Sequence, residues 1–488
     1  MTDTRKENSY RSILRGTSAF GGVQLFQILV NLIRGKFVAI FLGPAGMGIS
    51  ALLASATATI QQFSSLGLNL AIVREVATNK DDQHALSTAM SVGRRLIYAT
   101  AIVGALVCLL FAAPLSRLTF GSDEYTLWFA ALSLMLFFGI AGAGQLSMLQ
   151  GLHAVRRLSL SSLVGALAGL CFGVPLYWLL GVKGIVPAMI VLALTTYIFY
   201  TISLRQTVGQ ALPRTRFAWR SHSPLVKRLI ALGLVLMASN LIGSLASYIV
   251  VTYVRHASDV TTVGLYQGAN SLTNQYIGMV FSAMALDFFP RLSAAAADNS
   301  KVRTIVNRQT EIVALICTPL VIALILSAPL VIRLLLDSRF LDSVPLMRWM
   351  GFGILFRALM FPLGYISFAK DDKRLYFCLE GLLGNTLSLI LSITLFHFFG
   401  LIGLGIAIAV DASVSLAIYY FVNSRRYSFR YSRRSLRLML YALILGGTVF
   451  GFSFIGNAPV AYTLMSLTLA VSAAYGFVAL RRLLREEQ

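Results

Sequence analysis

Lysine and arginine gather in every second gap between the long apolar stretches of this chain, and that alternation constrains both how often it crosses a bilayer and in which direction. The basic gaps hold Arg5 to Arg15, Arg74 and Lys80, Arg156 and Arg157, Arg205 to Arg228, Arg291 to Arg308, Lys370 to Arg374, Arg425 to Arg437, and Arg481 to Arg485. Between them lie gaps almost without charge: Gly43-Pro44, the stretch around Arg117, Gly181-Val182-Lys183, Arg255, 333–342, Phe399-Gly400 and Ile455-Gly456-Asn457. Assigning the basic set to the cytoplasm puts about 32 of the 41 basic residues inside and about six outside, the bias that orients multi-spanning proteins. The expected fold is all-α and polytopic, with about 14 transmembrane helices and both termini in the cytoplasm.

A chain with 57% hydrophobic and 12% charged residues has too little polar surface to cover a soluble globule of 488 residues. The net charge of +22 does not point to nucleic acid, because the basic side chains stand at span ends where anionic membrane lipids meet them. Cys108, Cys171, Cys317 and Cys378 fall inside apolar spans without CxxC spacing, and the five histidines are scattered, so neither disulfide, metal site nor cofactor is indicated.

Several expected spans, such as 12–42, 47–73, 309–336 and 344–369, exceed the ~20 residues needed to cross the hydrocarbon core, so tilted or kinked helices are expected. Pro175, Pro187, Pro319, Pro329 and Pro362 lie within spans and free carbonyls that neighbouring helices or a wet cavity must satisfy. Short segments recur at offsets of 216 to 219 positions: 46–51 with 262–267, 154–158 with 371–375, and 184–188 with 403–407. The recurrence relates spans one to six to spans seven to twelve, and an even number of spans per half gives parallel halves. The expected domains are an N-terminal six-helix lobe at 1–204, a basic linker at 205–228, a C-terminal six-helix lobe at 229–425 around a shared central cavity, and two additional helices at 426–488.

A charged side chain at mid-bilayer costs about 2.5 to 3.5 kcal/mol, so each asks for a partner or a hydrated cavity. Arg34 and Lys36 lie in the first span roughly 10 to 14 Å below its outer end at Gly43, and Asn31, Gln27 and Gln24 extend a polar stripe from them. Arg357 lies near the middle of span ten and Asp411 near the middle of span twelve, with Glu380 just inside span eleven. Asn270, Asn274 and Gln275 give span eight a polar face, with Tyr266 and Gln267 above it. The candidate binding residues are therefore Arg34, Asn31, Lys36, Asn270, Asn274, Gln275, Arg357, Asp411 and Glu380. Arg34 and Arg357 suit an anion, because guanidinium donates two parallel hydrogen bonds to phosphate, while the amides suit hydroxyls. Two bland readings stand beside this one: Lys36 snorkelling to the interface, and Arg357 locked in a structural ion pair with Asp411 or Glu380.

Three stretches resemble the oligosaccharide flippases, the O-antigen and enterobacterial common antigen translocases of the multidrug/oligosaccharidyl-lipid/polysaccharide superfamily. They are Gly43-Pro44-Ala45-Gly46-Met47-Gly48, the run 263–272 leading to Phe289-Pro290-Arg291-Leu292-Ser293, and Phe368-Ala369-Lys370. The resemblance spans roughly residues 10–425. It implies two six-helix lobes, a cationic cavity, and movement of a polyprenyl-diphosphate-linked oligosaccharide across the bacterial cytoplasmic membrane by alternating access, with a polysaccharide polymerase and chain-length protein as potential partners. The two extra helices depart from the twelve-span pattern common there, although fourteen spans occur in the lipid II flippase branch. A cation-coupled multidrug exporter of the same superfamily is the stronger rival; against it, the spans of the first lobe hold no carboxylate. A membrane glycan polymerase or ligase is the enzymatic alternative, and the short outer loops hold few of the carboxylates it needs.

Overall fold

The computed structural model describes residues 3–209 and 219–486, and every regular element among them is helical. Side chains of the basic N-terminal stretch from Arg5 to Arg15, of Gln24, and of Arg214, Arg216 and Arg220 in the linker lie outside the described residues. The chain divides into two compact units, 1–263 and 264–488.

The first unit holds α1 (Asp3–Ser64), α2 (Leu68–Thr78), α3 (Gln83–Leu110), α4 (Ala112–Phe120), α5 (Thr126–Gly151), α6 (Val155–Leu180), α7 (Ile185–Val208) and α8 (Trp219–Ala257). At the division begins α9 (Val260–Ala294), and the second unit continues with α10 (Asn299–Leu335), α11 (Val344–Ala369), α12 (Lys373–Tyr376), a π-helical segment (Phe377–Gly384), α13 (Asn385–Tyr427), α14 (Arg433–Phe452) and α15 (Ala458–Glu486). Nine stretches among the described residues are long and apolar enough to cross a membrane. Three of these, Phe26–Ser64, Val155–Val208 and Lys373–Tyr427, run to 39, 54 and 55 residues and contain internal breaks. At 1.5 Å per residue the two longer ones measure ~80 Å, more than twice a ~30 Å hydrocarbon core, so each folds back on itself.

The breaks fall at Gly43, at Gly181–Gly184 and at Gly400, three of the uncharged gaps in the sequence. Gly181 (φ 55°, ψ −132°) and Gly400 (φ 58°, ψ −141°) occupy nearly the same backbone conformation, one that side-chain-bearing residues avoid. Three residues on, a Cβ at Gly184 would collide with the carbonyl oxygen of Leu176, and one at Gly403 with that of Leu395. Both hairpins therefore close by the same contact. Two further details recur at offsets of 216 and 218 positions. Asp82 accepts amide hydrogens from His84 and Ala85, and Asp298 from Ser300 and Lys301, each capping the following helix. Hydrogen bonds from the Ser300 hydroxyl and amide hold the Asp298 carboxyl below the usual carboxylate range. His153 (φ 55°) and Asp371 (φ 54°) are both left-handed, and the amide after each reaches back five residues, Ala154 to Leu149 O at 3.1 Å and Asp372 to Ser367 O at 3.0 Å. The repeat read from short sequence matches is thus written into turn geometry.

The compact units divide at 263, whereas the sequence repeat divides at the 205–228 linker, and the difference is α8. Its packing belongs to the first unit at every level: Arg228 pairs with Glu75, Thr59 donates to Ser244 O at 3.3 Å, Thr119 and Tyr248 share a hydrogen bond of 2.7 Å, and Arg255 reaches Phe120 O at 3.3 Å. Leu229 completes a core with Leu68, Ile72, Met90 and Met148. Between membrane helices such contacts act through packing and hydrogen bonds rather than exclusion of water.

The appended helices α14 and α15 belong to the second unit. Glu311 of α10 is buried and accepts hydroxyls from Ser435 at 3.0 Å and Ser432 at 3.3 Å, with Arg434 at 3.6 Å. Further along, Phe450 packs on Trp349 and Phe352 of α11, and Tyr441 of α14 lies against Tyr475 of α15.

Candidate functional site

Along α11, residues 357, 361, 364, 365 and 368 follow helical spacing and line one face, while Leu355, Leu359, Leu363 and Ile366 are buried on the other. The open face borders a cavity of about 350 Å³ whose wall includes Arg357, Phe361, Tyr365 and Phe368 of α11, Phe281 of α9, Tyr376 of α12 and Glu380 of the π segment. Arg357 and Glu380, read from the sequence as candidates on separate spans, meet here. Glu380 Oε1 and the Tyr419 ring stand 3.4 and 3.7 Å from where a side chain at Gly364 would begin.

Arg357 is exposed to this cavity, and among the described residues no carboxylate lies within 4.0 Å of it. The Arg357–Asp411 and Arg357–Glu380 ion pairs weighed above are thus absent in this structure. Asp411 of α13 nonetheless feels the Arg357 charge, and its Oδ1 is buried without a hydrogen-bond partner. A buried carboxylate oxygen in that condition is costly.

The cavity rings form a continuous run that sequence reading missed. Phe281 stacks on Phe361 at 5.0 Å between centroids, Phe361 meets Tyr365 at 4.9 Å, Tyr365 meets Phe289 at 5.9 Å, Phe289 stacks on Phe368 at 4.9 Å, and Phe368 meets Tyr376 at 5.2 Å. Its signal was present in part, since 361, 365 and 368 share the helical face of Arg357.

The other candidates sit elsewhere. On α9, Asn274 donates to Asn270 at 2.8 Å, so these amides partly satisfy one another, while Gln275 Oε1 is buried without a partner. In the first unit Asn31 is exposed and Arg34 is half-buried, facing Tyr177 of α6. Lys36 is half-buried and engaged. The first unit also holds a polar cluster that no single stretch of sequence announces, because α3, α5 and α7 each supply one member. Tyr98 and Tyr197 share a hydrogen bond of 2.8 Å, and Gln145, almost fully buried, donates to Tyr98 at 3.4 Å.

Long apolar helices enclosing an arginine-bearing aromatic cavity define a multi-pass integral membrane protein. The chain belongs to the polysaccharide biosynthesis protein family, whose sequence profile matches residues 37–345. It is 23% identical over 357 residues to the lipid III flippase of Escherichia coli K12, covering 73% of this chain and 85% of that protein, and equally similar to the lipid III flippase of Shigella flexneri. Its fold is that of the lipid II flippase MurJ in an inward closed conformation (TM-score 0.72, 13% identity, 95% of this chain and 99% of that one). An inward-facing multidrug resistance MATE family transporter of the MOP superfamily is similar as well (TM-score 0.70, 16% identity, 84% and 98%).

Proposed function

We propose that this chain translocates a polyprenyl-diphosphate-linked oligosaccharide across the bacterial cytoplasmic membrane, without catalysing a covalent reaction, and so supplies cell-surface polysaccharide assembly. The observation that carries this reading is Arg357, open to an aromatic cavity with no carboxylate within 4.0 Å of it among the described residues. Its planar guanidinium suits a diphosphate, the ring run offers faces to sugar rings, and Glu380 accepts hydrogen bonds from hydroxyls. A cavity of about 350 Å³ falls within the size range of small-ligand sites, room for the diphosphate and the first sugar rather than a whole glycan. Arg34 serves as a second anion contact in the first unit, with the polyprenyl chain remaining in lipid. In the cycle the site opens to one leaflet and then the other, the termini staying cytoplasmic and a polymerase taking up the product.

The test is transfer of a fluorescent polyprenyl-diphosphate oligosaccharide across proteoliposomes. Arg357→Ala should lower the rate ten- to hundredfold, the range expected for losing a charge-assisted hydrogen bond, while insertion and abundance stay normal; Arg357→Lys should restore part of it. An alanine variant with the native rate would remove Arg357 from transport. Asp411, with its orphaned oxygen, favours the second reading, a cation-coupled exporter. In that case a lipophilic cation would move down a proton gradient in the same vesicles and Asp411→Asn would stop it, with the lipid-linked sugar left in place.

A further inference from the structure

The Arg357 cavity carries one charge of each sign and keeps them apart. Among the described residues that line it, Arg357 is the one cation and Glu380 the one carboxylate; both are exposed, and no ion pair within 4.0 Å joins them. Glu380 Oε1 lies 3.4 Å from where a Cβ on Gly364 would stand, and Gly364 follows Arg357 by seven residues on α11. Two helical turns, about 10 Å, therefore separate the level of the carboxylate from that of the arginine. Phe361 stands between the two levels, stacked on Phe281 of α9 at 5.0 Å, and Tyr365 continues the ring surface at 4.9 Å.

An arrangement of this kind reads a ligand at two points. A molecule held at Arg357 by a phosphate lays whatever follows that phosphate along Phe361 and brings it to Glu380. An ionised carboxylate accepts hydrogen bonds and donates none, so it pairs with a hydroxyl, an amide N–H or an ammonium and repels a second carboxylate. That repulsion is stronger between ring walls inside a bilayer than on an open surface, because less water screens it. A cavity of about 350 Å³ leaves a bound sugar little room to turn an acidic substituent away.

We infer that Glu380 is a specificity-determining residue, admitting a lipid-linked cargo whose first sugar is neutral or aminated and rejecting one whose first sugar is a uronic acid. The inference rests on the reading of Arg357 as the diphosphate contact and adds to it the charge class of the sugar. Discrimination of this kind comes from a repulsive group set against the wrong ligand. Two like charges about 5 Å apart at an effective dielectric of about 20 correspond to a preference of about a hundredfold or more.

The test gives the full-length protein in proteoliposomes three fluorescent polyprenyl diphosphates, each bearing a single sugar: glucose, its uronic acid, or its amino counterpart, which differ only at carbon six. The native protein should move the glucose and amino forms at rates within about fivefold of each other, and the uronic acid form about a hundredfold more slowly. Glu380→Gln, close in size and uncharged, should raise the rate for the uronic acid form about tenfold or more while slowing the glucose form several-fold, so that the preference collapses. A gain toward one cargo does not arise from misfolding. Should that variant not insert, Glu380→Ala is measured in its place, and the order of the three cargoes on the native protein tests the inference without any variant. Equal native rates for the glucose and uronic acid forms, or an undiminished preference in the variant, overturns the inference and leaves the transport reading standing. No movement of any of the three by the native protein overturns that reading first, and this inference with it.

Discussion

The two units repeat one scaffold and furnish it differently. Helices α5 and α11 are both 26 residues long and start 218 positions apart, so Arg357 corresponds to Gly139, Phe361 to Ala143 and Tyr365 to Ser147. In the hairpins that follow, Tyr200 and Tyr419 correspond at 219 positions; the Tyr200 hydroxyl bonds Ser162 at 3.0 Å, whereas the Tyr419 ring lies with Glu380 beside Gly364. The scaffold stands without the charges, since the first unit does without them. The arginine, the acid and the ring run along α11 thus have no counterpart at the matching positions of α5.

That contrast breaks most sharply at the shared hairpin turns. Alanine at Gly184 or at Gly403 places a Cβ on a backbone carbonyl, and each substitution should cost about 3 kcal/mol or more, seen as lost abundance and a lower melting temperature, whereas an unobstructed helical glycine gains up to ~1 kcal/mol. Tolerance at one position and collapse at the other would mean that the turns are alike only in outline. The tyrosines should separate the units by a smaller margin. Tyr200→Phe loses a hydrogen bond to Ser162 worth about 1 kcal/mol, while Tyr419→Phe removes a hydroxyl from beside the Glu380 wall and should change stability by less than that but slow transport. Native transport in the Tyr419 variant would remove that hydroxyl from the cavity's work. The smallest change is expected at Gly139→Ala, whose Cβ would meet Gln61 Oε1 at an ordinary 3.5 Å; stability should stay within ~0.5 kcal/mol and transport should be native. A transport defect there would show that the first unit's counterpart of the arginine position also touches cargo.

Much of the fold was legible because membrane topology is set by one-dimensional signals, length of apolar run and placement of charge. The gaps at Gly43, Gly181 and Gly400 and the repeat offsets follow from those signals directly. The allegiance of α8 was not legible, since an apolar helix carries no mark of which neighbour will take its Tyr248 or Arg228. For the site, intramembrane charge pointed to Arg357, Glu380 and Asp411, because uncompensated charge is rare in lipid and therefore informative. Whether Arg357 would pair with Asp411 or Glu380 stayed open in the sequence because pairing depends on rotamer and register, neither of which spacing along separate helices determines. Aromatic residues are common among membrane spans, so the ring run around Arg357 stood out only once its helix face was known.

The offset between the units grows from 218 at His153 and Asp371 to 219 at Gly181 and Gly400, and the one surplus residue falls across the stretch Phe377–Gly384, where the helix widens into π geometry. Asn385 steadies that widening by donating to the carbonyls of Glu380 at 3.1 Å and Gly381 at 2.8 Å. One residue amounts to about 100° of rotation in an α-helix. Excising a single residue upstream of Glu380 would restore the narrower coil and swing the acid a quarter-turn or more away from Gly364, so the make-up of this wall hangs on a miscount of one.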